Sequence, residues 1–398
     1  MNIAGLLFLI ITQFLAGRGV MAIFGIKQKP VITFAISSFI GVGIFSMIPL
    51  FVELLGLKIT QTNIGVSICA ITALLNIAFV RKYDYGIFRK IKFSFPKLYE
   101  LVFITFFIII MIPSLWLSYF YPPQARDVLS GPEPLAEFAI KEGTLNNSVF
   151  TMNLEESVPN LLKPPFVTNL QIVYKYFVHS FGQVYLSIMV LCFLVWIYYL
   201  LREKLHPVVA GFLMLFFMTI PEMYAYTFIL LWDYCNTIYF VAGVYFLIQY
   251  LDSGNYKEFL FSALMFGFAT FVRVETLIFV GLLSPILIIG YKKGDVKLPK
   301  LAMNFFLLAL IPFAFYFIWV NVFVKYKLPL NLDDDQKLNL GSEVSYADWF
   351  STINSELIFG GMNYALYGYF IYFFILVILI DAIFFRSFNK EAKLWLAG

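Results

Sequence analysis

LVFITFFIIIMIPSLWLSYF at residues 101–120 runs without a break into YPPQARDVLSGPEPLAEFAIKEG at 121–143. The first stretch has no charged side chain and is long enough to cross a hydrocarbon core about 30 Å thick, for which about 20 apolar residues suffice. The second holds prolines, an Arg-Asp pair and a cluster of carboxylates. A membrane-crossing segment that delivers such a loop sets two questions: which side of the membrane the loop faces, and what its charges do there.

The rest of the chain is built in the same way. Of its residues, 61% are hydrophobic, 20% aromatic and only 13% charged, and its mean hydropathy is +0.84. A soluble domain is roughly 45–50% apolar and about 25% charged. Backbone groups in lipid must satisfy one another, which leaves helices or a closed barrel. Long apolar runs without period-two alternation select helices, so an all-α, polytopic transmembrane bundle is expected. The formal charge of +4 is modest, and Lys and Arg are read as orienting the chain, with no nucleic-acid partner. Cys69, Cys192 and Cys235 are far apart inside apolar runs, which indicates neither a disulfide frame nor a zinc site. The run Asn2–Gly25 lacks a basic leader and a small-residue cleavage site, so it is expected to be a retained helix.

Apolar runs predict about eleven spans, at 3–25, 31–56, 63–80, 98–121, 183–201, 207–223, 228–250, 257–273, 275–291, 301–324 and 362–385. Basic clusters lie at 27–29, 81–92, 202–204, 291–300 and 386–393. With the N-terminus outside, all five fall on the cytoplasmic side, and about 18 of the 28 Lys and Arg residues face inward, as basic loops do. The long loops 122–182 and 325–361 then lie outside the cytoplasm. Residues 1–97 read as an N-terminal three-helix block with a cytoplasmic basic loop. Residues 98–398 read as the transmembrane core. Within the first long loop, Ser130 is expected to cap a helix starting at Gly131–Pro132, proline suiting a first turn. Leu135, Phe138 and Ala139 share one side of it. A second helix is expected in 166–182, with Leu170, Val173, Tyr174 and Phe177 at helical spacing. Both read as short helices on the membrane surface.

Ionisable groups from four separate segments reach the same outer face. Arg126 and Asp127 follow the fourth span, with Glu133 close behind. Glu222 ends the sixth span, Asp233 lies one turn or so into the seventh, and Arg273 and Glu275 occupy the turn between the eighth and ninth. One such group at a helix end is an ordinary interfacial charge; convergence of several points to a polar cavity. A carboxylate there can accept a proton from an acceptor hydroxyl or amine. An arginine can hold a phosphate and stabilise it as it departs. A lateral opening to lipid would admit an isoprenoid tail. Together these parts describe sugar transfer from a polyprenyl phosphate. No phosphate-cradling G-x-x-x-x-G-K-[ST] or G-x-G-x-x-G element points to a nucleotide.

An acidic residue in the first large outer loop, PEMYAYTFILLWDYCNTIYFVAGVYFLIQYLDSG at 221–254 and FGFATFVRVETLIF at 266–279 resemble the GT-C superfamily of integral-membrane glycosyltransferases, over about 98–324. The resemblance implies a polyprenyl-phosphate-linked sugar donor, a glycan, lipid or protein acceptor, and a site on the extracytoplasmic face of the plasma or inner membrane. It implies Asp127 as catalytic base, Arg273 near the lipid phosphate, and Glu222 and Asp233 lining the cavity; Arg126, Glu133 and Glu275 complete the candidate substrate-binding set. Members often pair the loop aspartate with a second acid, whereas here its neighbour is Arg126.

A transporter or flippase of lipid-linked sugars would also gather charge, but such proteins tend to carry repeats and broken helices at the midplane. A polymerase of lipid-linked glycans is the other alternative, given the acidic loop 325–361. Its Asp333, Asp334 and Asp335 read as a solvated run rather than a cation site, because three consecutive side chains rarely converge on one ion. No metal ligands are assigned. A divalent cation remains open, since a pyrophosphate leaving group would profit from one and a monophosphate needs none.

Overall fold

The computed structural model describes residues 2–77, 98–150, 163–178, 181–288, 297–324 and 376. The basic loop 81–92, His179, the outer loop 325–361 with its aspartate run, the span expected at 362–385 and the cluster at 386–393 lie outside the described residues. Among the described residues every regular element is helical.

The helices, in chain order, are α1 (Ile3–Ile23), α2 (Pro30–Leu54), α3 (Gln61–Ile77), α4 (Leu98–Phe120), α5 (Arg126–Leu129), α6 (Pro132–Glu142), α7 (Phe166–Phe177), α8 (Val184–Lys204), α9 (Pro207–Met218), α10 (Pro221–Ala225), α11 (Trp232–Ser253), α12 (Tyr256–Val272), α13 (Thr276–Leu283) and α14 (Leu298–Phe317). A π-helical turn, Ile318–Val324, continues α14. Six helices among the described residues are long and apolar enough to cross a membrane, and 61–77, 207–218 and 276–286 are shorter apolar helices. These six fall at six of the eleven expected spans, and the count of eleven is not confirmed among the described residues. Local chemistry starts several of them: Asn2 Oδ1 accepts from Gly5 N at 2.9 Å, and His206 Nδ1 accepts from Val208 N at 3.3 Å ahead of Pro207. Each satisfies an amide that the first helical turn leaves without a partner.

Helix ends gather in two layers. At one, Lys29 pairs with Glu203 at 2.8 Å and Arg202 with Glu100 at 2.8 Å. At the other, Glu53 accepts from Thr144 Oγ1 at 2.7 Å and Leu145 N at 2.9 Å. Ile59 N donates to Gly143 O at 2.7 Å in the same layer. The layers are joined by an apolar interior that α1 and α2 share with α7, α8, α11 and α12. The α1–α2 crossing is close because it is made by glycines: a Cβ on Gly17 would lie 1.8 Å from Ser37 O, and one on Gly41 2.0 Å from Gln13 O. Small residues let backbones approach where lipid supplies no hydrophobic drive to associate. Polar groups inside this core bond across helices, as buried polar groups must. Tyr239 donates to Phe39 O at 2.7 Å, Asn169 to Ser46 O at 2.6 Å, and Tyr174 to Gln13 Oε1 at 3.0 Å. The core helix α12 is enclosed by protein along its length, from Phe259 to Val272. By contrast, α4 turns Ile104, Phe106, Ile108, Ile112 and Trp116 outward.

Two expectations about the loop helices change. Ser130 does not cap α6: Gly131 is the cap residue and makes no side-chain hydrogen bond there, while the Ser130 hydroxyl lies 3.4 Å from Asp127 O. And α7 is not a surface helix. Phe166 through Tyr174 are all buried. Its polar residues find partners in α1, α2 and α6, so no face is left for lipid headgroups. Only α6 has the half-buried, two-sided character expected of a surface helix.

Candidate functional site

Asp233 and Arg273 meet. Asp233 is the second residue of α11 and Arg273 the residue that ends α12, its N–H bonded to Ala269 O at 2.9 Å. Because α11 and α12 form a hairpin joined at the other layer, the start of one lies beside the end of the other. Arg273 Nη2 lies 3.1 Å from Asp233 Oδ1 and 3.3 Å from Oδ2. Side-chain exposures of 31% and 43% leave both within reach of a ligand. Asp233 was expected further inside its helix. The helix starts at Trp232 instead, after an extended Leu231, which sets the carboxylate at the mouth.

Glu275 is exposed at the N-terminus of α13, whose first side chain, Thr276, is anchored on Asn236 Oδ1 of α11 at 2.8 Å. Asp127 is exposed on the single turn α5, opened by Arg126.

Lys163, which the sequence reading did not single out, stands among these groups. Its half-buried ammonium lies 4.3 Å from the ring centre of Trp232, itself only 1% exposed. Burial lowers the pKa of Lys163 below the ordinary lysine value. The fields of Asp127, then Glu275 and Asp233, oppose that shift, and Arg273 reinforces it. Pro164 and Pro165 follow it and stiffen the entry to α7. Trp319 and Phe323 of the π-helical turn stack at 5.1 Å and line a small cleft with Lys163, Pro165 and Leu135. The available signal was a cation held beside two prolines in an outer loop.

Two other candidates have different surroundings. Glu133 turns toward α7: Oε1 is paired with Lys175, and Oε2 accepts from Gln171 Nε2 at 2.8 Å. Lys175, 4% exposed, also pairs with Glu137. Both Glu133 oxygens are thus engaged inside the fold. Glu222, on the short helix α10, accepts from Tyr226 at 2.6 Å, and its Oε2 is buried without a hydrogen-bond partner among the described residues.

Beneath Glu275, a groove between α13 and α14 is walled by Leu277, Val280, Gly281, Phe305, Leu308 and Phe313. Apart from Ser284 its lining is apolar, and no side chain fills the space beside Gly281. Among the described residues no three His, Cys, Asp or Glu side chains are placed to hold a metal ion together.

A helical, multi-pass membrane protein with paired charges at the mouth of its bundle is the class these features define. Residues 163–319 match the family of dolichyl-phosphate-mannose-protein mannosyltransferases, a GT-C type family. By its description that family consists of mannosyltransferases that use a dolichyl-phosphate-linked sugar. The match begins at Lys163 and takes in Glu222, Asp233, Arg273 and Glu275; Arg126, Asp127 and Glu133 lie before it. No curated protein and no solved structure matches the chain.

Proposed function

We propose that this protein transfers a sugar from a polyprenyl-phosphate donor to a glycan, lipid or protein acceptor at the extracytoplasmic face, with inversion at the anomeric carbon. The observation that carries the reading is the partly exposed Arg273–Asp233 pair, made where the end of α12 meets the start of α11, together with the family match over 163–319. Asp127 is exposed and can meet an acceptor from water. Its carboxylate takes the proton of the acceptor hydroxyl or amine as that atom forms a bond to the anomeric carbon. The bond from that carbon to phosphate oxygen breaks, and the electron pair leaves with the lipid phosphate. The Arg273–Asp233 pair and Glu275 border the same mouth. The groove between α13 and α14 offers the donor's tail a path of the same polarity as the surrounding lipid, so the tail can follow it to the site without exposing apolar surface to water. The orientation follows the sequence expectation that basic clusters such as 27–29 and 202–204 face the cytoplasm; Lys29 and Arg202 lie in the helix-end layer away from Asp127.

The test is transfer of a radiolabelled sugar from a polyprenyl monophosphate in proteoliposomes. General-base catalysis contributes typically about 10²–10⁴-fold, so Asp127→Asn is expected to lose at least about a hundredfold in kcat. Equal turnover by the two proteins removes Asp127 as the base.

A further inference from the structure

Of the two cations whose side chains are described at the site, Arg273 already has its charge compensated. Its Nη2 contacts both oxygens of Asp233, so binding a phosphate there would compete with an existing ion pair. Lys163 differs: among the described residues it makes no ion pair within 4.0 Å, and its ammonium rests on the face of Trp232 instead. An indole face holds an ammonium less strongly than a charged phosphate oxygen does. The lysine backbone is set by Pro164 and Pro165, while its four-carbon stem can swing.

We propose that Lys163 is the cation that receives the phosphate of the lipid-linked donor, and that the Trp232 face is its resting place. This rests on the reading of the donor as a lipid phosphate and adds the residue that recognises it. The location suits the chemistry. A phosphate held by Lys163 would lie at the start of α11, on the same face as the proposed base Asp127. Trp232, on whose ring the Lys163 ammonium rests at 4.3 Å, is the residue next to Asp233, so a phosphate drawn to Lys163 comes to the start of α11, where Asp233 is already neutralised by Arg273. A half-buried ammonium also gains more from an anion than a solvated one, because its own hydration is already reduced.

The test compares binding of a polyprenyl monophosphate, the matching uncharged polyprenol and inorganic phosphate to the full chain in phosphatidylcholine nanodiscs. Wild type is expected to prefer the monophosphate to the polyprenol, with inorganic phosphate a weak competitor. Lys163→Met and Lys163→Gln should bind the monophosphate about tenfold or more weakly, with polyprenol affinity unchanged, and Lys163→Arg should recover most of the loss. Monophosphate binding should also shift tryptophan emission in wild type but not in Trp232→Phe, as the ammonium leaves the indole. Monophosphate affinity within about twofold of wild type in Lys163→Met and Lys163→Gln overturns the assignment, since a charge-assisted contact is worth more than that. Equal loss of polyprenol and monophosphate binding in those variants also overturns it, by making Lys163 a packing residue. Failure of wild type itself to distinguish monophosphate from polyprenol strikes the lipid-phosphate reading as well.

Discussion

Arg273 and Asp233 stand 40 positions apart in the chain, and their contact is a partly exposed ion pair. Such pairs contribute about 0.2–1 kcal/mol. A double-mutant cycle with Arg273→Gln and Asp233→Asn, read by thermal unfolding in detergent, is expected to give a coupling below about 1 kcal/mol, although sugar transfer falls in both single variants. The Lys175 cluster is the contrary case. Its ammonium is almost wholly buried and serves Glu133 and Glu137 together. Lys175→Met would leave buried carboxylate charge without its cation, which costs about 3–5 kcal/mol when one partner of a buried pair is removed. Adding Glu133→Gln should return part of that stability, measured in the same unfolding assay. Glu133 was legible as an outer-face carboxylate but not as a structural one, because the residues that engage it lie on α7, 38 and 42 positions away. Lys163 was missed for a related reason: a single lysine in a loop carries no pattern until Trp232, 69 positions further on, is folded against it.

At the scale of elements, hydropathy located the helices well, because apolar length is a property of the local chain. It could not say which helices touch lipid. The apolar helix α4 is largely exposed, whereas α7, which looked like a surface helix, is enclosed. Both kinds of helix are written in the same residues, since lipid and protein interior are alike in polarity. The glycine crossing of α1 and α2 gives a test at this scale. Gly17→Ala and Gly41→Ala force the backbones apart and should each destabilise by about 1–3 kcal/mol, the usual cost of overpacking. Gly281→Ala meets open space and should raise helix stability slightly, by about 0.5–1 kcal/mol. Its bulkier relative Gly281→Trp should weaken binding of long-chain donors, read as a raised KM for long prenyl chains against short ones.

For the whole molecule, the two layers of helix ends predict labelling from opposite sides of the membrane. In a Cys69→Ala background, Lys141→Cys is expected to react with an impermeant thiol reagent in intact cells. Lys204→Cys should react only after the membrane is opened. The reverse pattern would put Asp127 on the cytoplasmic side and remove acceptor transfer at the outer face. The layers also account for the common interior of α1, α2 and the later helices. Tyr239 on α11 reaches across 200 positions to Phe39 O, a link between distant parts of the chain that no local pattern announces.

By itself the sequence determined that this chain is a helical membrane protein, where most of its helices run, and which ends carry the basic residues. Those properties follow from hydrocarbon thickness and the energetics of charge, which act on each segment separately. Only the tertiary structure decided that Asp233 meets Arg273, that Glu133 belongs to Lys175, and that Lys163 stands over Trp232. Such contacts depend on which helix faces pack together, and packing is a property of pairs of distant segments rather than of any one of them.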